Sequence, residues 1–101
     1  MIEILRHKEF DKWLKGIKDS RAKASVTSRI DRLAFGLFGD VKPIGNGLSE
    51  LRISIGKGYR VYFKQRGNKL IIVLCGSQKN DQKQQIEKAK ELFKEWEKDN
   101  E

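Results

Sequence analysis

Between Leu51 and Asn80 the chain carries Arg52, Lys57, Arg60, Lys64, Arg66, Lys69 and Lys79 and not one Asp or Glu. Cations gathered without acids make a candidate site for a polyanion, although the same block would also serve as a solvated basic surface. Their arrangement decides between the two. Leu51, Ile53 and Ile55 alternate with Arg52 and Ser54, and after Gly56-Lys57-Gly58 the residues Tyr59, Val61 and Phe63 alternate with Arg60, Tyr62 and Lys64. That pattern predicts two strands joined by a short hairpin loop. Pairing Ile55 with Tyr59, Ile53 with Val61 and Leu51 with Phe63 puts six apolar side chains on one face. The other face then carries Ser54 opposite Arg60 and Arg52 opposite Tyr62, with Lys64 farther along. Facing side chains lie about 5 Å apart and diagonal ones about 7 Å, so Arg52 and Arg60 are expected as diagonal neighbours around Tyr62. Two guanidinium forks at that spacing suit phosphate oxygens. Tyr62 could stack on a base or simply pack.

Lys79 follows the apolar run Leu70 to Cys75 and precedes a helical segment, where free N–H groups favour anions; a lysine there could equally be only solvated. His7, the one histidine, starts the first helix and reads as a cap or surface residue before it reads as a catalyst. Cys75 sits inside the apolar run and reads as a small core residue, not a nucleophile. One Cys and one His exclude an internal disulfide and a zinc site, and no metal or other cofactor is expected.

The elements that must position these residues follow from periodicity. Met1 to Leu5 predicts a brief strand. Phe10, Trp13, Leu14 and Ile17 fall on one side of a helix ending near Lys18. Asp19-Ser20 can cap a second helix, in which Ala22, Val26, Ile30, Leu33 and Leu37 keep the spacing to about Phe38. Gly39 and Asp40 stop it, and Val41 to Gly47, with the only proline, is expected as a loop. Leu70 to Cys75 predicts a strand covered on both faces. Asn80 or Asp81 can cap a last helix whose apolar side is Ile86, Ala89, Phe93 and Trp96, with Gln84 in capping-box position after Asp81. The expected fold is α+β in the order β-α-α-β-β-β-α: a small, mainly antiparallel sheet packed by an N-terminal helical hairpin and a C-terminal helix.

Length and charge set the outer bounds. The 101 residues allow a single domain over 1–101. The formal charge of +8 is uneven, since residues 81–101 hold five Lys against seven acids and the first 80 carry the remaining +10. No apolar run approaches a membrane span and the N-terminus does not read as a secretion signal, so a soluble, cytoplasmic protein with no membrane partner is expected.

The blocks L-R-I-S-I-G-K-G-Y-R-V-Y-F at 51–63 and L-I-I-V-L-C-G-S-Q-K-N-D-Q-K-Q-Q-I-E-K-A at 70–89, in this element order, resemble the RelE/HigB toxins of type II toxin–antitoxin modules, within the RelE/ParE superfamily. The branch it looks most like is that of the addiction-module killer proteins. The resemblance covers nearly the whole chain. It implies a RelE-like fold and a ribosome-dependent mRNA endonuclease, or mRNA interferase, that needs no metal and leaves a 2′,3′-cyclic phosphate. Carried over by position, Arg60, Arg52 and Lys79 are the implied catalytic residues, and Lys57, Tyr62, Lys64 and Arg66 the implied RNA-binding ones. Relatives with a C-terminal Tyr or His as acid or base find no counterpart beyond Lys79. Proton transfer would fall to Lys79 or Lys57, to Tyr62, or to the ribosome and its RNA. The implied partners are mRNA, the ribosome and a cognate antitoxin, HigA-like with a helix-turn-helix; whether copies of the chain associate is left open. Two other functions fit the same fold: a ParE-like poison of DNA gyrase, and an RNA-binding module that cleaves nothing.

Overall fold

The computed structural model describes residues 1–100; Glu101, at the end of the expected domain, lies outside them. The 3.6-residue spacing becomes helices α1 (Lys8–Lys15), α2 (Ser20–Leu33) and α3 (Gln82–Asp99). Both early helices start on side-chain caps. His7 Nδ1 accepts the Glu9 N–H at 3.0 Å, and Asp19 Oδ1 accepts those of Arg21 at 3.0 Å and Ala22 at 3.3 Å. Helix α2 stops earlier than its apolar spacing suggests. Gly36 takes φ +75°, its N–H bonds the Leu33 carbonyl and the Leu37 N–H bonds that of Arg32, which is a Schellman ending. Phe35 and Leu37 are therefore exposed instead of extending the buried stripe.

Five strands, β1 (Glu3–Arg6), β2 (Val41–Gly45), β3 (Leu48–Ile53), β4 (Tyr59–Arg66) and β5 (Leu70–Gln78), form one mixed sheet in the order β1-β5-β4-β3-β2. Only β1–β5 is parallel. The α+β class holds, with one strand more than expected: β2 replaces most of the predicted loop at 41–47. Pro43 hid it, because a proline donates no ladder hydrogen bond, yet on an edge strand beside a bulge at Pro43/Gly45 none is needed.

The β3–β4 register also differs from expectation. Gly58 N–H bonds the Ile55 carbonyl, with Gly56 and Gly58 at positive φ, so Ile55 belongs to the turn and pairs with nothing. Ile53 faces Tyr59, Leu51 faces Val61, and Arg52 lies directly opposite Arg60, not diagonal to it. Because the slip is two residues, every side chain stays on its expected face.

The sheet is packed on both sides. Leu51, Ile53, Tyr59, Val61, Phe63, Ile71 and Val73 meet Phe10, Ala22, Val26, Ile30 and Leu33 of α1 and α2. On the other side Leu48, Tyr62, Ile72, Leu74 and Cys75 meet Ala89, Leu92 and Phe93 of α3. A bulge in β5 opposite Tyr62/Phe63 turns both Leu74 and Cys75 toward α3. No helix among the described residues is long and apolar enough to cross a membrane.

Candidate functional site

Strand pairing aligns Arg52 of β3, Arg60 of β4 and Ser77 of β5 in one row on the α3 side of the sheet. The next row inward is Glu50, Tyr62 and Cys75. Lys79 follows two residues after Ser77, exposed in a 3-10 turn over Lys79–Asp81 that leads into α3. The Gln78 N–H bonds Asp81 Oδ1 at 2.9 Å, so Asp81 braces this turn in place of the predicted cap on α3. Arg52, Arg60 and Lys79 thus share one end of the sheet.

Each arginine already faces a carboxylate, and the two pairs differ in burial and geometry. Arg52 bonds Asp40 Oδ1 through Nη2 at 2.8 Å and Nε at 3.2 Å, with 40% and 51% of the two side chains exposed. The guanidinium pKa rises through the hydrogen bond and charge of Asp40. Solvent screens an exposed pair of this kind, which leaves the guanidinium open to a competing anion. Arg60 and Glu50 are 17% and 1% exposed, with Nε 3.5 Å from Oε1 and neither atom hydrogen-bonded. Gln82, in the first turn of α3, donates to Glu50 Oε2 at 2.7 Å. Glu50 is therefore a buried carboxyl group behind Arg60, tied to the helix that covers it.

Glu50 escaped the sequence reading because the acid-free block starts one residue after it. The signal was present: in S-E-L-R the alternation puts Glu50 on the face of Arg52 and Tyr62. Asp40, in contrast, reaches Arg52 only because β2 exists.

Of the implied RNA-binding residues only Lys57 lies at this end; Tyr62, Lys64 and Arg66 do not. Tyr62 is fully buried, its hydroxyl 2.7 Å from Ser77 Oγ, so it offers no ring face to a base. Burial pushes its pKa up to about 12, which removes it as a proton carrier near neutrality. Lys64 lies four residues along the strand from Arg60, about 13 Å at strand rise. Its Nζ sits over the Phe93 ring at 5.6 Å, and the Arg66 guanidinium over Trp96 at 5.8 Å. Both cations are held against α3. Lys57 is exposed at the β3–β4 turn. Cys75 is buried, and desolvation pushes its thiol up to about 12, so it is no nucleophile. No three His, Cys, Asp or Glu side chains among the described residues come together as a metal cluster.

Comparison with known proteins covers nearly the whole of this architecture. The chain is 48% identical over 94 residues to an uncharacterised protein of Haemophilus influenzae, spanning 93% of this chain and 95% of that protein. No solved structure matches it. The family described as phage derived protein Gp49-like (DUF891) matches residues 12–94, from α1 through most of α3 and with it the whole arginine row. The chain belongs to the Gp49-like family of phage-derived proteins.

Proposed function

We propose that this protein is the toxin of a type II toxin–antitoxin module and that it arrests translation by cutting messenger RNA on the ribosome. Its family, a toxin-like addiction-module family, supports the first half and carries with it a cognate antitoxin as partner. The RNA half rests on one observation, the row Arg52–Arg60–Ser77 with Lys79 beyond it, at a sheet end where both guanidinium groups keep exposed surface.

In this reaction the ribose 2′-oxygen attacks the adjacent phosphorus, the bond to the 5′-oxygen breaks, and a 2′,3′-cyclic phosphate remains. Charge builds on the phosphoryl oxygens in the transition state. A donor fixed toward that charge contributes on the order of 10²- to 10³-fold in rate. Arg60 is the more buried of the two arginines, with Glu50 behind it, and Arg52 exchanges its exposed partner for phosphate. Glu50 acts as a positioning residue. With Tyr62 buried, proton transfer falls to Lys57, Lys79 or groups of the ribosome.

Primer extension on a translated message tests this reading. Expression of the parent is expected to create new 5′ ends within the reading frame, and Arg60→Ala to reduce them about 100-fold or more. An intact message during growth arrest, or equal cutting by the variant, overturns it. If DNA gyrase then loses supercoiling activity in the presence of the protein, the ParE-like alternative takes its place.

A further inference from the structure

The parallel strand β1 pairs with β5 only as far as Val73, so the stretch Cys75–Gln78 has a strand neighbour on one side alone. A cleft of about 940 Å³ occupies the other side. Cys75, Gly76 and Gln78 line it along β5, together with the end of α1, the Lys18–Asp19 corner, Lys57 and the start of α3. Gly76 and Gln78 flank Ser77 on β5, so the cleft lies across the free β5 edge from the arginine row, on the α1 side of the sheet.

Its lining combines an aromatic plate with a small excess of positive charge, four lysines against three carboxylates. The Trp13 ring lies directly against Gly76, where any side chain would collide with it, and meets Tyr59 edge-on at 6.2 Å. The ring is thereby fixed. The three carboxylates in the wall are all engaged: Glu9 bonds Lys88 at 2.7 Å, Asp19 caps α2, and Asp81 accepts the Gln78 N–H. The Lys88 bond and charge lower the Glu9 pKa, which keeps that bridge ionised. Lys12, Lys18 and Lys57, in contrast, have no ion-pair partner among the described residues. A flat ring, nearby ammonium groups and the amides of Gln78, Asn80 and Gln85 are the chemistry that holds a nucleotide: the base stacks, the phosphates meet lysines, and amides reach the base edge. The volume fits, since small-molecule sites run from about 300 to 1,000 Å³.

We propose that this cleft binds a nucleotide of single-stranded RNA, next along the strand from the phosphate at Arg52, Arg60 and Lys79. The assignment rests on the RNA reading above and extends it to a second subsite that an RNA strand enters past Lys79.

The chain has two tryptophans, so Trp96→Phe leaves Trp13 as the sole indole reporter. The probe is a 2′-O-methyl tetraribonucleotide, which lacks the attacking hydroxyl and stays intact. The oligomer is expected to quench Trp13 emission. Lys12→Ala with Lys18→Ala is expected to weaken binding about tenfold and to lower the slope of log affinity against log salt by about 1.4, the figure for two single-strand phosphate contacts. Unchanged Trp13 emission, while fluorescence anisotropy shows the oligomer bound through Arg60, overturns the cleft and spares the arginine row. Quenching that survives Arg60→Ala, in a protein that cuts no message, supports the cleft and sinks the nuclease. AMP is the control for a free nucleotide: binding as tight as the oligomer's would overturn the RNA-strand assignment.

Discussion

The two faces of the sheet are built by different rules, although they share every strand. Toward α1 and α2, Leu51, Ile53, Val61, Phe63, Ile71 and Val73 are buried with no charge among them. Toward α3, the apolar Leu48, Ile72 and Leu74 share the space with Glu50, Ser77, the Tyr62 hydroxyl and the flank of Arg60. Apolar burial stabilises at about 25 cal/mol per Å² with no direction attached, whereas each buried polar group must find a partner or cost 1–3 kcal/mol. The helical-hairpin face is therefore an apolar core, opened only at the β5 edge by the cleft beside Trp13. The α3 face carries a penalty that its polar row accounts for, because that row runs out to Arg52, Arg60 and Lys79 at the open end of the sheet.

Adjacent residues give the sharpest contrast, since Phe63 points into one face and Tyr62 into the other. Phe63→Ala is expected to cost about 3–5 kcal/mol in a urea melt, the usual loss for an aromatic core side chain and a large share of a small domain's stability. A loss under 1 kcal/mol would mean that the hairpin face is not the main core. Glu50→Ala is expected to cost less, roughly 2 kcal/mol. Removing one partner of a buried pair costs 3–5 kcal/mol, but Arg60 is partly exposed and regains water. Arg60→Ala added to Glu50→Ala should then cost less than the sum of the single changes. Strict additivity would show that the two groups do not interact and would remove Glu50 as the positioning residue.

Tyr62→Phe comes next, at about 1 kcal/mol near neutral pH, because Ser77 Oγ loses its partner. Its size is expected to fall at alkaline pH. The Tyr62 pKa is raised from 10.0 to about 12 by burial, so the wild-type side chain stays neutral in the folded state while the unfolded chain ionises. Below pH 10 that group adds no pH dependence. Between about pH 10 and 12 the unfolded state gains by releasing the proton, and wild-type stability falls. The variant lacks this loss, so chemical denaturation across that window should show the gap between the two proteins narrowing. A constant gap would mean that the hydroxyl is not desolvated.

How far the sequence foretold this architecture depended on whether the signal was periodic. Period two put Arg52 and Arg60 on one face and the apolar set on the other, and a slip of two residues left that intact; Val26, Ile30 and Leu33 marked α2 in the same way. What failed was set by single residues acting through geometry. Gly36 ended α2 early by adopting a left-handed conformation, Pro43 disguised an edge strand, and Ile55 was drawn into a turn between two glycines. For the site, residue type identified the arginines, but their carboxylate partners come from β2 and from one position before the acid-free block. The covering of Tyr62, Lys64 and Arg66 was harder still to foresee, because the apolar side of α3 predicts that the helix packs on the sheet without saying over which strands.

The smallest effect belongs to the far end of α3, and it separates two roles for the same cations. The first turn of the helix is anchored by the Gln82–Glu50 hydrogen bond, while near its end Arg66 lies over Trp96 and Lys64 over Phe93. An exposed cation–π contact is worth about 0.5–1 kcal/mol, so Arg66→Ala is expected to lower stability by about 0.5 kcal/mol. Because Arg66 covers the Trp96 ring, the same change should shift Trp96 emission toward the red as water reaches the indole. Arg66→Lys should restore part of the stability, since an ammonium keeps the charge over the ring but not the stacked plane of the guanidinium. Were Arg66 merely a solvated cation, neither the stability nor the emission would move. A response in both would mean that α3 has drawn Arg66 out of the basic block and into its own packing, leaving RNA contacts to the opposite end of the sheet.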